Sequence, residues 1–149
     1  LINQALRVRP RDADVLFAAG QEALLAGDLT GALTRWSEPL RRSERMRDRV
    51  LAVLVGRVPT THVVAMLPRD ERLLRELVGR VRPLGRPDEL HTALTALTEV
   101  TSDLARMQRG AEAARSWTKV VHYSWELGDA PRADAALKAG IAAEPYNYA

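Results

Sequence analysis

VLFAAGQEALLAGDLTGALTRW, residues 15–36, carries two helical patterns and the punctuation between them. Val15, Leu16, Ala19, Ala23 and Leu25 recur at the three- and four-residue steps of one helix face, and Ala32, Leu33, Trp36 and Leu40 mark a second. Between them, Gly27 and Asp28 give the stop and restart chemistry of a helical hairpin.

The same reading extends along the chain. Val50, Leu51 and Leu54 continue a helical pattern that Gly56 to Pro59 breaks, and Thr60 is placed to cap a short helix carrying Val63, Val64 and Leu67. Pro68 ends it. Asp70 is placed to cap a helix with a stripe of Leu73, Leu74, Leu77, Val78 and Val81. After the turn at Gly85 and Arg86, Pro87 suits a first helical position. Leu90, Leu94, Leu97, Leu104 and Met107 keep one face, which predicts a long helix from 87 to about 109, ended by Gly110. Ala114, Trp117, Val121, Ser124 and Leu127 line the next, closed by Gly128 and Asp129. The last carries Ala133, Ala136, Leu137, Gly140 and Ile141 and stops before Pro145.

No segment alternates as a half-buried strand does, so the expected class is all-α. Hairpins are expected over about 13–42, 44–67, 69–109 and 111–143, within a single helical domain over 1–149. Their turns begin at Gly27, Gly56, Gly85 and Gly128, and the steps of 29, 29 and 43 residues average close to 34. That period favours stacked helical hairpins. Ile2, Ala5 and Leu6 already share a helix face and Leu1 is not a Met, so the chain is expected to be a piece of a longer protein.

With these residues in place the chain resembles the tetratricopeptide repeat (TPR), a helix–turn–helix unit with the pattern W-x2-L-G-x2-Y, then A-x3-F and a closing Pro. Leu16, Ala19, Gly20 and Ala23 stand at the first four positions, followed after Gly27 and Asp28 by Ala32 and Trp36. Trp117, Val120, Val121 and Ser124 repeat the spacing, completed by Gly128, Asp129, Ala133, Leu137, Gly140 and Pro145. Ala5 and Pro10 resemble the tail of a preceding repeat, and Tyr146 onward the start of a following one. Small residues at Gly20, Ala32, Ala133 and Gly140 would let backbones approach, with Trp36, Trp117 and Leu137 filling the gaps. The resemblance implies a right-handed α-solenoid. Pro39 departs from it inside a second helix, where it is expected to kink or end the element.

Composition narrows the chemistry. The 149 residues contain no cysteine, which excludes disulfides, thiolate metal sites and a cysteine nucleophile. The longest apolar run, Val50 to Val55, is far below the ~20 residues of a membrane span. His62, His91 and His122 lie apart with no second ligand at metal spacing, and the serines lack a nucleophile-elbow context. Gly79 to Gly85 lacks the Gly-Lys-Ser/Thr ending of a phosphate loop. Acidic pairs such as Asp70 with Glu71 sit in first helical turns, where the helix dipole accounts for them. No catalytic residue, metal or cofactor is expected.

Twenty of the 22 basic residues are Arg, and the net charge is +3. As far as Arg86, 16 arginines face 10 acids, whereas the remainder holds six basic and nine acidic residues. Arg41, Arg42, Arg45, Arg47 and Arg49 form the densest cluster, but Glu38, Glu44 and Asp48 interleave with it and no aromatic residue is there to stack a base. A solvated helix face is the simpler reading, with nucleic acid or another polyanion as the alternative.

In the family it resembles, leading helices line a concave groove that holds a peptide or a partner helix. Carried over by position, the groove would contain Asp14, Phe17, Gln21 and Leu24 from one repeat and Arg115, Thr118, His122 and Trp125 from another, with Arg72, Arg75 and Arg82 adding positive charge for an acidic peptide. Phe17 and Trp125 lie off the packing stripes and read as groove anchors. The expectation is a non-catalytic protein-interaction scaffold, with an accessory domain of an enzyme as a further alternative. Homo-oligomerisation, and cytoplasm against periplasm, are open at this level.

Overall fold

Among the residues described, 1–9 and 11–145 of a computed structural model, every regular element is helical. The order is α1 Ile2–Val8, α2 Ala13–Leu25, α3 Leu29–Arg42, α4 Glu44–Leu54, α5 Thr60–Met66, α6 Glu71–Val81, α7 Pro87–Met107, α8 Gly110–Glu126 and α9 Ala130–Ala143, with a 3-10 turn at Arg82–Leu84. The expectations placed on Pro10 and on Tyr146 onward lie outside the described residues. The chain divides into two compact units, Leu1–Pro68 and Arg69 onward. Helices that follow one another pack in both: α1 to α4 in the first, α6 to α9 in the second.

The same turn is built twice. Gly27, at φ 80°, donates its N–H to the Leu24 carbonyl (3.0 Å) and Asp28 donates to Ala23 (2.9 Å). Gly128, at φ 72°, donates to Trp125 (3.0 Å) and Asp129 to Ser124 (2.8 Å). These paired bonds are the left-handed glycine closure of a helix C-terminus. Each Asp then starts the following helix: the Asp28 carboxylate accepts from Gly31 N–H at 2.8 Å and Asp129 from Arg132 N–H at 3.1 Å. One residue therefore closes one helix and opens the next.

In the first unit the packing is governed by Gly20. Trp36 is fully buried, its indole lies against the bare backbone at Gly20, and its Nε1–H donates to the Phe17 carbonyl at 3.0 Å. Phe17 stacks on Trp36 with ring centroids 5.9 Å apart. The buried stripe of α2 is consequently Phe17, Ala19, Gly20 and Ala23, whereas Leu25 is 90% exposed.

α3 runs through Pro39 to Arg42, so of the two outcomes expected there, a kink or an end, the helix does not end. The ring removes one backbone donor but is itself buried, and its carbonyl accepts from the Ser43 N–H at the helix C-cap at 3.0 Å. Thr60 differs from expectation. It is the first residue of α5 and is buried, and Pro59 precedes it without a side-chain cap. Asp70 does cap α6, accepting from Leu73 N–H at 3.0 Å, and Pro87 opens α7.

The core of the second unit is richer in small polar residues than the sequence pattern indicated. α7 packs on both α6 and α8, and buries Thr98, Thr101 and Ser102 beside Leu94 and Leu97. Their hydroxyls donate to the carbonyls four residues back at 2.6–2.8 Å, so burial leaves none of these hydroxyls unpaired. Met107 is 80% exposed. Gly110, at φ 59°, begins α8. Ala113, Ala114, Ser116, Val120 and Ser124 form the α8 core face, with Trp117 only half-buried. On α9 the small residues Ala133, Ala136 and Gly140 are buried, while Leu137, expected in the packing, and Ile141 are 43% and 41% exposed.

Candidate functional site

The ten residues assigned to a groove fall into two sets, one in each unit. In the first, Phe17 is not on an open surface. It is 4% exposed, stacked on Trp36, and the Arg49 guanidinium of α4 lies over its ring, 4.0 Å from the centroid. Asp14 is exposed and receives that same arginine through Arg49 Nη1 at 2.8 Å, while Gln21 and Leu24 are half-buried. Phe17, Asp14 and Arg49 thus serve packing between α2 and α4. Two more members of the arginine cluster are engaged within the same unit, Arg42 with Glu38 at 3.0 Å and Arg47 Nη1 with the Leu40 carbonyl at 3.3 Å, while Arg41 and Arg45 are exposed.

In the second unit the assigned residues are exposed. Arg115, Thr118, His122 and Trp125 recur at the spacing of one helix face on α8, opposite its core stripe, and all four are open to solvent. Trp125 is 62% exposed. Arg72 and Arg75 are exposed on α6. Ion pairs tie α6 and the 3-10 turn after it to α8. Glu71 Oε1 accepts from Arg75 at 3.0 Å and from Lys119 at 3.1 Å, and Arg82 is hydrogen-bonded to Glu126. That hydrogen bond raises the Arg82 pKa. Tyr123 lies beside this seam; burial pushes its phenol above the ordinary value, and the Glu71 charge adds to the effect. The result is an arginine-bordered face with one large aromatic side chain standing in water.

A second feature escaped the sequence reading. α7, α8 and α9 enclose a cleft of about 380 Å³ whose charged lining is Arg69, Arg106, Arg132, Glu99 and Asp103, with Trp117 at one wall. Arg69 Nη2 reaches Asp103 Oδ2 at 3.0 Å and Arg106 Nη1 reaches Asp103 Oδ1 at 2.8 Å. Arg106 also stands 5.9 Å over the Trp117 ring. Arg69 and Asp103 line a neighbouring hollow of about 450 Å³ as well, floored by Val100, Leu104 and Met107, so their pair forms the partition between the two. The one signal in the sequence was distance: Arg69 and Asp103 are 34 residues apart, one repeat step.

His62, His91 and His122 are all exposed, and among the described residues no three His, Asp or Glu side chains are grouped to hold a metal. No helix of the described residues is long and apolar enough to cross a membrane. No family model matches the chain, and the comparison with curated proteins finds no match.

Proposed function

We propose that this chain is a non-catalytic protein-interaction module, a right-handed solenoid of TPR-like hairpins, and that the outer face of α8 with the arginines of α6 receives an acidic peptide or partner helix. One observation carries the binding reading: Trp125 stands 62% exposed on a stripe with Arg115 and His122, opposite the face of α8 that is buried among the described residues. The repeat reading is supported by the two identical Gly-Asp turns and by ion pairs between side chains about one repeat apart, Asp14 with Arg49 and Arg69 with Asp103.

The test is an array of acidic, neutral and basic peptides probed with the parent chain and with Trp125→Ala. Acidic peptides carrying an apolar residue should be retained, and Trp125→Ala should weaken them by at least about tenfold with an unchanged melting temperature. Identical array profiles for the two proteins would refute the assignment of this face.

A further inference from the structure

The cleft between α7, α8 and α9 lies on a different side of α8 from the Trp125 face, since Trp117 lines it while Trp125 does not. Its volume of about 380 Å³ is in the range of small-ligand sites, roughly 300–1,000 Å³. Three arginines and two carboxylates line it, so the formal charge is one unit positive. Two of those arginines already hold one carboxylate, Asp103, each on a different oxygen. Each guanidinium has five N–H donors in a planar fork, so both can serve a second planar anion beside the first. Arg132 is the least engaged: its Nε is 4.0 Å from Asp129 Oδ2, beyond hydrogen-bond length.

We propose that this cleft binds a single carboxylate, with Arg132 and Arg106 as its donors and the Trp117 ring as the apolar wall for the group that bears it. A monoanion neutralises the lining, whereas a phosphate dianion would leave it negative beside Glu99 and Asp103. The carboxylate belongs to a small organic acid or to an acidic peptide side chain, and the experiment separates these sources. The proposal is independent of the α6–α8 face.

The probes are phenylacetate and acetyl-Gly-Glu-Gly-amide, with phenylacetamide and the Gln peptide as neutral controls. The reporter is the indole N–H of Trp117 in the nitrogen-15 spectrum, with those of Trp36 and Trp125 as references. At least one carboxylate probe should shift Trp117 alone and saturably, while its amide does not. A response to phenylacetate identifies a small acid as the source, and tighter binding of the Glu peptide identifies a protein. Arg132→Gln should weaken binding at least about fivefold and Glu99→Gln should tighten it about twofold, both at unchanged melting temperature. Equal shifts from acid and amide, no saturable shift from either acid, tighter binding of inorganic phosphate, or the same change in both variants would overturn the proposal.

Discussion

Replacing Gly20 with alanine should destabilise the first unit, although alanine is the better helix former. A Cβ on Gly20 would fall 2.1 Å from Trp36 Nε1, 2.4 Å from Cε2 and 2.6 Å from Cδ1. The indole cannot swing clear cheaply. It has no solvent exposure, its N–H is bonded to the Phe17 carbonyl, and its ring is stacked on Phe17. Overpacking a filled core costs about 1–3 kcal/mol, a lost hydrogen bond adds about 1 kcal/mol, and alanine's helix propensity offsets about 1 kcal/mol. The net loss is about 2 kcal/mol, which for a unit of this size is roughly 8–16 °C in the melting midpoint. Gly79→Ala is the control. It lies in the exposed interior of α6 with no atom within 4 Å of an added Cβ, so propensity acts alone and stability should rise by about 0.5–1 kcal/mol. Urea unfolding followed by circular dichroism reads both variants. A Gly20→Ala protein as stable as the parent would refute the placement of Trp36 over Gly20.

Removal of either turn carboxylate, Asp28→Ala or Asp129→Ala, should cost about 1 kcal/mol in the same urea assay, because each leaves the N–H of Gly31 or Arg132 uncapped. Ala133→Leu, at a site 1% exposed, should overpack by about 1–3 kcal/mol, whereas Leu137→Ala, one turn further on at a site 43% exposed, should cost less than about 1 kcal/mol. Tyr123 should ionise above pH 10.0 in an ultraviolet titration. Because the folded state holds that proton more tightly, stability is whole below pH 10.0 and falls as the pH climbs from there through the raised folded-state value. Tyr123→Phe should remove this component of the alkaline loss.

The turns were the legible part of the sequence, because Gly27–Asp28 and Gly128–Asp129 act through their own backbone and side-chain bonds and need no distant partner. The helix class followed from spacing alone. Phe17 was misread because its burial is created from outside its helix: Gly20 leaves a gap that Trp36 enters, and the Arg49 guanidinium lies over the Phe17 ring. Hydropathy ranks Leu25 above Gly20, but docking shape buries the glycine and exposes the leucine. The buried hydroxyls of α7 were invisible for a related reason. Threonine counts as polar until its hydroxyl bonds to its own helix, after which its methyl packs like any other. The α7–α9 cleft depends on residues from Arg69 to Arg132 and leaves only the separation of 34 residues as a trace.

The shared duty of Asp28 has a further consequence for how this architecture tolerates change in length. Because the donor that closes α2 and the acceptor that opens α3 belong to the same residue, the joint contains no spare residue to absorb an insertion. Adding one residue after Asp28 would advance every following position by about 100° around the helix axis. Trp36 would rotate away from Gly20 and a neighbour would be driven toward a gap shaped for an indole. The joint therefore works as a phase lock: it sets not only where the second helix begins but which of its faces meets the first.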